Sequence, residues 1–288
     1  MNSDTDFPAL YRSANDRSVR SQKLFFIAIG THLILLIFVS FLSTINTHKA
    51  LIASLQLIGL LGSLGCSIYL FSQRPDRAWY AGRAAAESIK TVAWRFATRA
   101  EPYQSEDRLA NLHFRLTLQQ IIEQNKEIFK QLSTHLDGRQ VTDWMTSMRR
   151  NSLELRKSNY AKFRIKDHLS SYAGKATYNR HLSHWFFWAL VGTNALAVVF
   201  AVIKLATGDL FFSPTDILTA IAASLLGWMQ AKRYSELAAS YALTAHEISL
   251  INEQSMSPKT EQEFSQFVGD TENAFSREHT QWIARRDT

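Results

Sequence analysis

The sequence predicts an all-α integral membrane protein, with two transmembrane helix hairpins (four membrane helices) and long cytoplasmic helices forming a helical bundle. Three observations carry that expectation. Apolar residues crowd into two pairs of runs, although the overall hydrophobic content of 46% is ordinary for a soluble chain. No stretch alternates apolar and polar residues over strand length, and 288 residues contain only five Pro and eleven Gly. Lys and Arg gather on one side of each hairpin.

The first run, 24–44, is uncharged, and its polar residues are Thr31, His32, Ser40, Ser43 and Thr44. The second, 50–71, is also uncharged. Each is long enough to cross a hydrocarbon core of about 30 Å as a helix. The third covers 185–204. The fourth, 214–231, is shorter in its apolar part and carries Asp216 near its start. Ser213-Pro214 reads as an N-cap followed by Pro at the first helical position. A buried helix in a soluble core is the other reading of that run, and its pairing with a good span argues against it. The hairpin tips "NTHK" and "ATGDLFFS" hold one lysine between them. Basic residues flank the other side: Arg12, Arg17, Arg20, Lys23, Arg74, Arg77, Lys175, Arg180, Lys232 and Arg233. Both termini and the middle segment are therefore expected to be cytoplasmic, in a bacterial inner membrane. The polar, acidic opening "MNSDTDFPAL" lacks the pattern of a secretory signal, so the first run is expected to stay as an anchor. The lone cysteine, Cys66, lies inside a run and cannot form an intrachain disulfide.

Shifting the sequence by about 160 residues places the first run on the third and the second on the fourth. Gly59, Ser63 and Ser67 then fall on Thr219, Ala223 and Gly227, and Glu87 falls on Glu247. Small residues at every fourth position let helices approach closely in lipid. The expected organisation is a segment 1–23, a first module 24–137 with cytoplasmic helices 76–137, and a second module 138–288. The second has an entry helix 138–184 and exit helices 232–288. Intramembrane polar residues are functional candidates by default. Here they are His32, Gln56, Thr193 and Asn194, none fully charged.

At 100° per residue, the stretch from Trp79 to Tyr103 has two faces. Ala85, Ala86, Ile89, Val92, Ala93, Phe96 and Ala100 form the apolar one, expected to pack on the long helices. Beside it runs a stripe with Trp79, Arg83, Glu87, Lys90 and Trp94. Arg83 and Glu87 are spaced to pair by charge, and Lys90 and Trp94 by cation–π contact. The stripe, with Glu247 in the second half, is expected to be a ligand-binding or intersubunit collar. The next helix is read from Ser105 to a stop at Asp137-Gly138, with a stripe of Leu109, Leu112, Leu116, Ile121, Ile128 and Leu132. A second long helix is expected from about Gln140 into the third run. From Arg149 to Arg180 its net charge equals the +7 of the whole chain. Arg149, Arg150, Arg156, Lys157, Lys162, Arg164 and Lys166 make a candidate basic patch. It has three readings: anionic lipid headgroups, nucleic acid or nucleotide, and salt bridges to the acidic C-terminal helices.

No catalytic residues and no metal site are expected. The sequence has no Gly-rich phosphate loop, HExxH, GxSxG or Cys-pair zinc pattern. His181 and His184 could meet one metal, but no carboxylate or Cys lies close by in sequence to complete a site.

The segment "AWYAGRAAAESIKTVAWRFATRAEPY", directly after a membrane hairpin, resembles the bacterial SLATT domain, a two-transmembrane effector of nucleotide-based conflict systems. "RIKDHLSSYAGKATYNRHLSHWFF" resembles the entry helix of the related DUF4231 form. "WMQAKRYSELAASYALTAHEISLI" and "FVGDTENAFSREHTQW" resemble its exit helices. The resemblance covers nearly the whole chain as two tandem modules. It implies a pore-forming or ion-channel effector of antiphage, abortive-infection defence, which depolarises the membrane. It also implies control by a regulatory nucleotide or short oligonucleotide from an associated nucleotidyltransferase. The family supplies no catalytic residues. A pore from four uncharged helices requires a homo-oligomeric ring in the lipid. The alternative is a non-conducting scaffold or adaptor whose basic helices recruit an anionic partner or lipid. A membrane-embedded enzyme would need convergent acids and bases that the sequence does not show.

Overall fold

The structure is a computed structural model that describes residues 4–45, 50–130, 132, 134–207 and 214–284, with backbone only for 277–284. Both hairpin tips lie wholly or mainly outside the described residues, as does Ser213. The described chain is all-α. Its helices are α1 (Ala9–Ser43), α2 (Ala50–Gln73), α3 (Pro75–Thr98), α4 (Asp107–Gln124), α5 (Lys126–Phe129), α6 (Asp143–Arg150), α7 (Leu153–Tyr160), α8 (Asp167–Thr207), α9 (Thr215–Lys232), α10 (Tyr234–Gln254) and α11 (Glu261–Ala284). A π-helical turn, Ala161–Lys166, joins α7 to α8. They divide into a polar unit (Met1–Gln22, Asp76–Ala173, Ala242–Thr288) and an apolar unit (Lys23–Pro75, Gly174–Tyr241).

In the apolar unit many large apolar side chains face outward. Three helical stretches among the described residues are long and apolar enough to cross a membrane: Ala9–Ser43, Ala50–Thr98 and Leu153–Thr207. Only 6%, 11% and 0% of their most apolar windows are buried, so lipid is the solvent these surfaces suit. The protein is a membrane protein. The fourth expected span, α9, is not among the three. It has 18 residues, with Asp216 and Lys232 at its ends. It nevertheless packs antiparallel along α1. The Ser40 hydroxyl donates to the Asp216 carbonyl at 3.1 Å, and the rings of Phe26 and Trp228 lie 5.9 Å apart. Lys232 Nζ sits 3.4 Å from the Phe26 ring centroid.

The α1–α2 hairpin closes on small residues. Gly59 and Ser63 are buried. A Cβ on Gly59 would stand 2.7 Å from Val39 Cγ2, and one on Gly62 would stand 3.0 Å from Leu35 Cδ1. Gly59→Ile therefore forces the helices apart, because valine has no flexible end to move. We expect a loss of about 1–3 kcal/mol, read as a lower melting temperature in detergent. The shifted row in α9 behaves differently. Thr219 and Ala223 are exposed, and Ala222 and Ser224 are the buried residues. The internal repeat thus does not extend to which small residues pack.

The polar unit has an aromatic core. Trp94 lies 5.0 Å from Trp144, 5.6 Å from Tyr160 and 6.4 Å from Phe7, centroid to centroid. Phe96 meets Phe114 at 4.8 Å. The face expected on α3 is inside: Ala85, Ala86, Ile89, Ala93, Phe96 and Ala100 are buried, with Val92 half-buried. The stripe expected on the next helix needs correction. Leu109, Leu112 and Leu116 are 53%, 54% and 46% exposed, whereas Ala110, Phe114, Leu118 and Ile121 are buried. Both faces of α4 are apolar, and the one with the phenyl ring packs against Phe96 and Tyr103. The helix also ends early, at Gln124. Gly138 belongs to a turn in close contact with α1, where a Cβ would meet Ala9 Cβ at 2.6 Å. The helix expected from about Gln140 is interrupted. α6 stops at Arg150, and Ser152 starts a new helix, with extended backbone at Asn151. Thr142 caps α6 by accepting from the Met145 N–H at 3.2 Å.

Candidate functional site

The seven residues of the expected basic patch do not form a surface. Arg149, Arg156, Lys157 and Arg164 are buried, while Arg150, Lys162 and Lys166 are exposed. The buried arginines recur seven and eight residues apart on α6, α7 and the π turn, and each has an internal task. Arg149 donates Nε to Asp107 Oδ1 at 2.7 Å. Its Nη1 donates to the carbonyls of Phe96 (3.0 Å) and Tyr103 (2.7 Å), and its Nη2 to that of Ser105 (2.6 Å). Burial lowers its pKa, and the Asp107 carboxylate opposes that. Arg156 donates Nη1 to the Thr98 carbonyl at 2.8 Å and Nη2 to Glu261. Together they reach the Phe96 and Thr98 carbonyls at the end of α3, where the dipole is negative. A planar guanidinium with five donors suits such clusters, which is why a run of positive charge can face inward.

Arg164 and Glu272 form the deepest ion pair, with side chains 1% and 0% exposed. Arg164 donates Nε to Oε1 at 2.8 Å and Nη2 to Oε2 at 2.7 Å, and Tyr160 donates its hydroxyl to Oε1 at 2.9 Å. Burial works against the Arg164 charge, but Glu272 outweighs it, and the pKa lies above the ordinary guanidinium value. Burial, then the neighbouring Glu272 charge, pushes the Tyr160 hydroxyl well up, so it remains a donor. Glu272 accepts three bonds, one from Tyr160 and two from Arg164. The cluster ties α11 to α7 and the π turn; it is an electrostatic clamp.

The stripe of α3 leads into this cluster. Arg83 and Glu87 pair at 2.6 Å as their spacing predicts, and Glu87 is buried. Trp94 is buried in the aromatic core, so it cannot meet another subunit. The cation–π partner of Lys90 is Phe7, at 5.4 Å from its ring centroid, rather than Trp94. Burial lowers the Lys90 pKa; Glu87 opposes this, and Arg164 and Arg83 add to it. Trp79 stacks on Tyr80 at 4.4 Å. Glu247 is exposed and lies outside the cluster. The collar is therefore internal over Glu87 and Trp94, with Trp79 and Arg83 partly exposed.

In the membrane helices, His32 Nδ1 lies 2.9 Å from Ser63 Oγ and 3.2 Å from the Ser63 carbonyl oxygen. Gln56 donates to Ser43 Oγ at 3.0 Å. Thr193 and Asn194 bond back to their own helix, at the carbonyls of Ala189 (2.8 Å) and Leu190 (2.9 Å), and Asn194 faces outward. The sequence reading missed Glu272, Glu261 and Tyr160. Glu272 had a signal: it falls within the apolar stripe of Phe264, Val268 and Phe275 on α11, where a carboxylate needs a buried partner.

Residues 8–157 match the family model of SLATT_3, the SMODS and SLOG-associating 2TM effector domain 3. Residues 160–282 match SLATT_1, the SMODS and SLOG-associating 2TM effector domain 1. The chain belongs to the SLATT family. No curated protein and no solved structure matches it. The two SLATT domains share one polar core. Arg156 of the first binds Glu261 of the second, and Trp94 of the first packs on Tyr160 of the second. Arg95 donates to the Gly269 carbonyl at 2.9 Å and to Asn273 at 2.7 Å. Each SLATT domain therefore extends into both the polar and the apolar unit.

Proposed function

We propose that this protein is a pore-forming, ion-conducting effector of a bacterial antiphage system. In this reading it assembles as a homo-oligomer in the inner membrane and depolarises the cell when a nucleotide signal reaches the polar unit. The observation that carries the reading is the pair of SLATT effector domains joined to membrane helices with almost wholly exposed apolar surfaces. The packing of α9 along α1 supports a fourth span, and the Lys and Arg flanks support cytoplasmic termini. The outward-facing Asn194 supports assembly. An amide carries two N–H donors and an acceptor, and its bond to the Leu190 carbonyl uses one donor. In lipid the remaining capacity favours a neighbouring helix. No catalysis enters the reading. The scaffold alternative loses its main support, because four of the seven basic residues that were to recruit an anionic partner are buried.

The test is a membrane-potential dye assay on cells expressing the chain with and without its genomic neighbours, paired with ion flux through liposomes holding the purified chain. Depolarisation, flux and a cyclic oligomer in detergent are expected. Asn194→Leu should weaken assembly about fivefold, the worth of one interhelical hydrogen bond of about 1 kcal/mol in lipid. A monomer with no flux under any nucleotide would overturn the proposal.

A further inference from the structure

The apolar unit contains a cleft of about 510 Å³ where α8, α9 and the start of α10 meet. Its walls change character along their length. Phe187, Leu226 and Met229 form one part, while His184, Arg233 and Glu236 form the rim. Tyr234 also lines the cleft and is held from behind: it stacks on Phe186 at 5.3 Å and 16°, and the Trp228 indole N–H donates to its hydroxyl at 3.3 Å. Trp185 and Trp188 stand exposed on α8 beside it, as aromatic residues do at a membrane–water interface. This order of surfaces, apolar and then polar, is that of a phospholipid seen from chain to headgroup.

The rim carries one cation and one carboxylate. Arg233 donates Nε to Glu236 Oε2 at 2.8 Å, and its Nη2 bonds the same oxygen. Both side chains keep solvent-facing surface, 40% for Arg233 and 61% for Glu236. Arg233 also holds a left-handed backbone, φ 52°, a position that glycine fills at lower cost. A long cationic side chain is thus held at a turn that the backbone alone would give to glycine. The complement of a fixed positive–negative pair is a headgroup with a phosphate beside an ammonium.

We propose that the cleft is a site for a phospholipid with a phosphoethanolamine headgroup. The phosphate lies on Arg233 with His184 beside it, and the primary ammonium donates to Glu236. An acyl chain runs over Phe187, Leu226 and Met229. A phosphocholine headgroup cannot donate to Glu236, because a quaternary ammonium has no N–H. A phosphoglycerol headgroup adds negative charge next to that carboxylate with no ammonium to offset it.

The test is native mass spectrometry of the full chain in detergent, with equal amounts of phosphatidylethanolamine, phosphatidylcholine and phosphatidylglycerol of identical acyl chains. The expected result is a preference of about fivefold for the ethanolamine lipid, on the scale of one hydrogen bond to a charged group. Glu236→Gln should erase its advantage over the choline lipid. Arg233→Gly, which the backbone angle accommodates, should lower binding of all three at an unchanged melting temperature. If that variant loses its fold, the Glu236→Gln comparison decides alone. Equal occupancy of the three lipids, a preference for phosphatidylglycerol, or an unchanged preference in Glu236→Gln would overturn the proposal. So would displacement of the lipid by equal amounts of soluble phosphoethanolamine, which would assign the cleft to a soluble ligand. The readout is lipid occupancy, so it stands apart from conductance.

Discussion

Glu272→Gln is expected to lower the stability of the polar unit by about 3–5 kcal/mol, because it leaves the Arg164 guanidinium buried without its counter-charge. Glutamine keeps the shape and one carbonyl oxygen, so the loss reports charge rather than packing. Tyr160 keeps an acceptor in this variant, and Arg164 loses one of two charge-assisted bonds. The measurement is thermal unfolding of the full chain in detergent, together with protease sensitivity of α11. A double variant separates this from a general core defect. Arg164→Met with Glu272→Leu removes both charges, and buried ion pairs exchanged for apolar residues of similar volume are often neutral. Recovery of most of the stability is the expected outcome. If Glu272→Gln melts like the parent, the clamp is not an energetic centre of this unit.

Arg149→Lys is the second large effect. Lysine keeps the charge but presents three donors from one point, whereas Arg149 serves the Asp107 carboxylate and three carbonyls in different directions. At least one carbonyl near the end of α3 is left buried and unpaired, at a cost of about 1–3 kcal/mol. The burial that lowers the arginine pKa also acts against a lysine ammonium, which deprotonates far more readily. In the variant, the lysine's folded pKa is expected to lie below its unfolded value. Its stability penalty should therefore be full below the folded pKa and shrink as pH rises toward the unfolded one. Melting curves of parent and variant from neutral to alkaline pH check this sign, and a difference that widens with pH would contradict it.

What the sequence made legible follows the range of the interaction. The apolar face of α3 depends only on residues along one helix, and so does the Arg83–Glu87 pair. Both follow from 100° per residue. The partner of Lys90 does not, because Phe7 comes from another part of the chain. The same holds for Arg164 and Glu272, which are 108 residues apart. A positive run reads as surface until its acceptors are known, and half of the bonds here go to backbone carbonyls that leave no mark in a sequence. On α4, two apolar faces competed for the core, and periodicity carries no rule for choosing between them. The three long apolar stretches needed only length and hydropathy, and for that reason they were the plainest feature of the chain.

Fusing two unlike SLATT domains around one core has a consequence for stoichiometry. Residues at matched positions differ in fate: Glu87 is buried and Glu247 exposed, Ser63 is buried and Ala223 exposed. The proposed closed ring would therefore alternate two kinds of hairpin. With the two hairpins per chain proposed above, its hairpin count is even whatever the number of chains, and its rotational order is the chain number and not twice that. A residue facing the ring axis recurs once per chain.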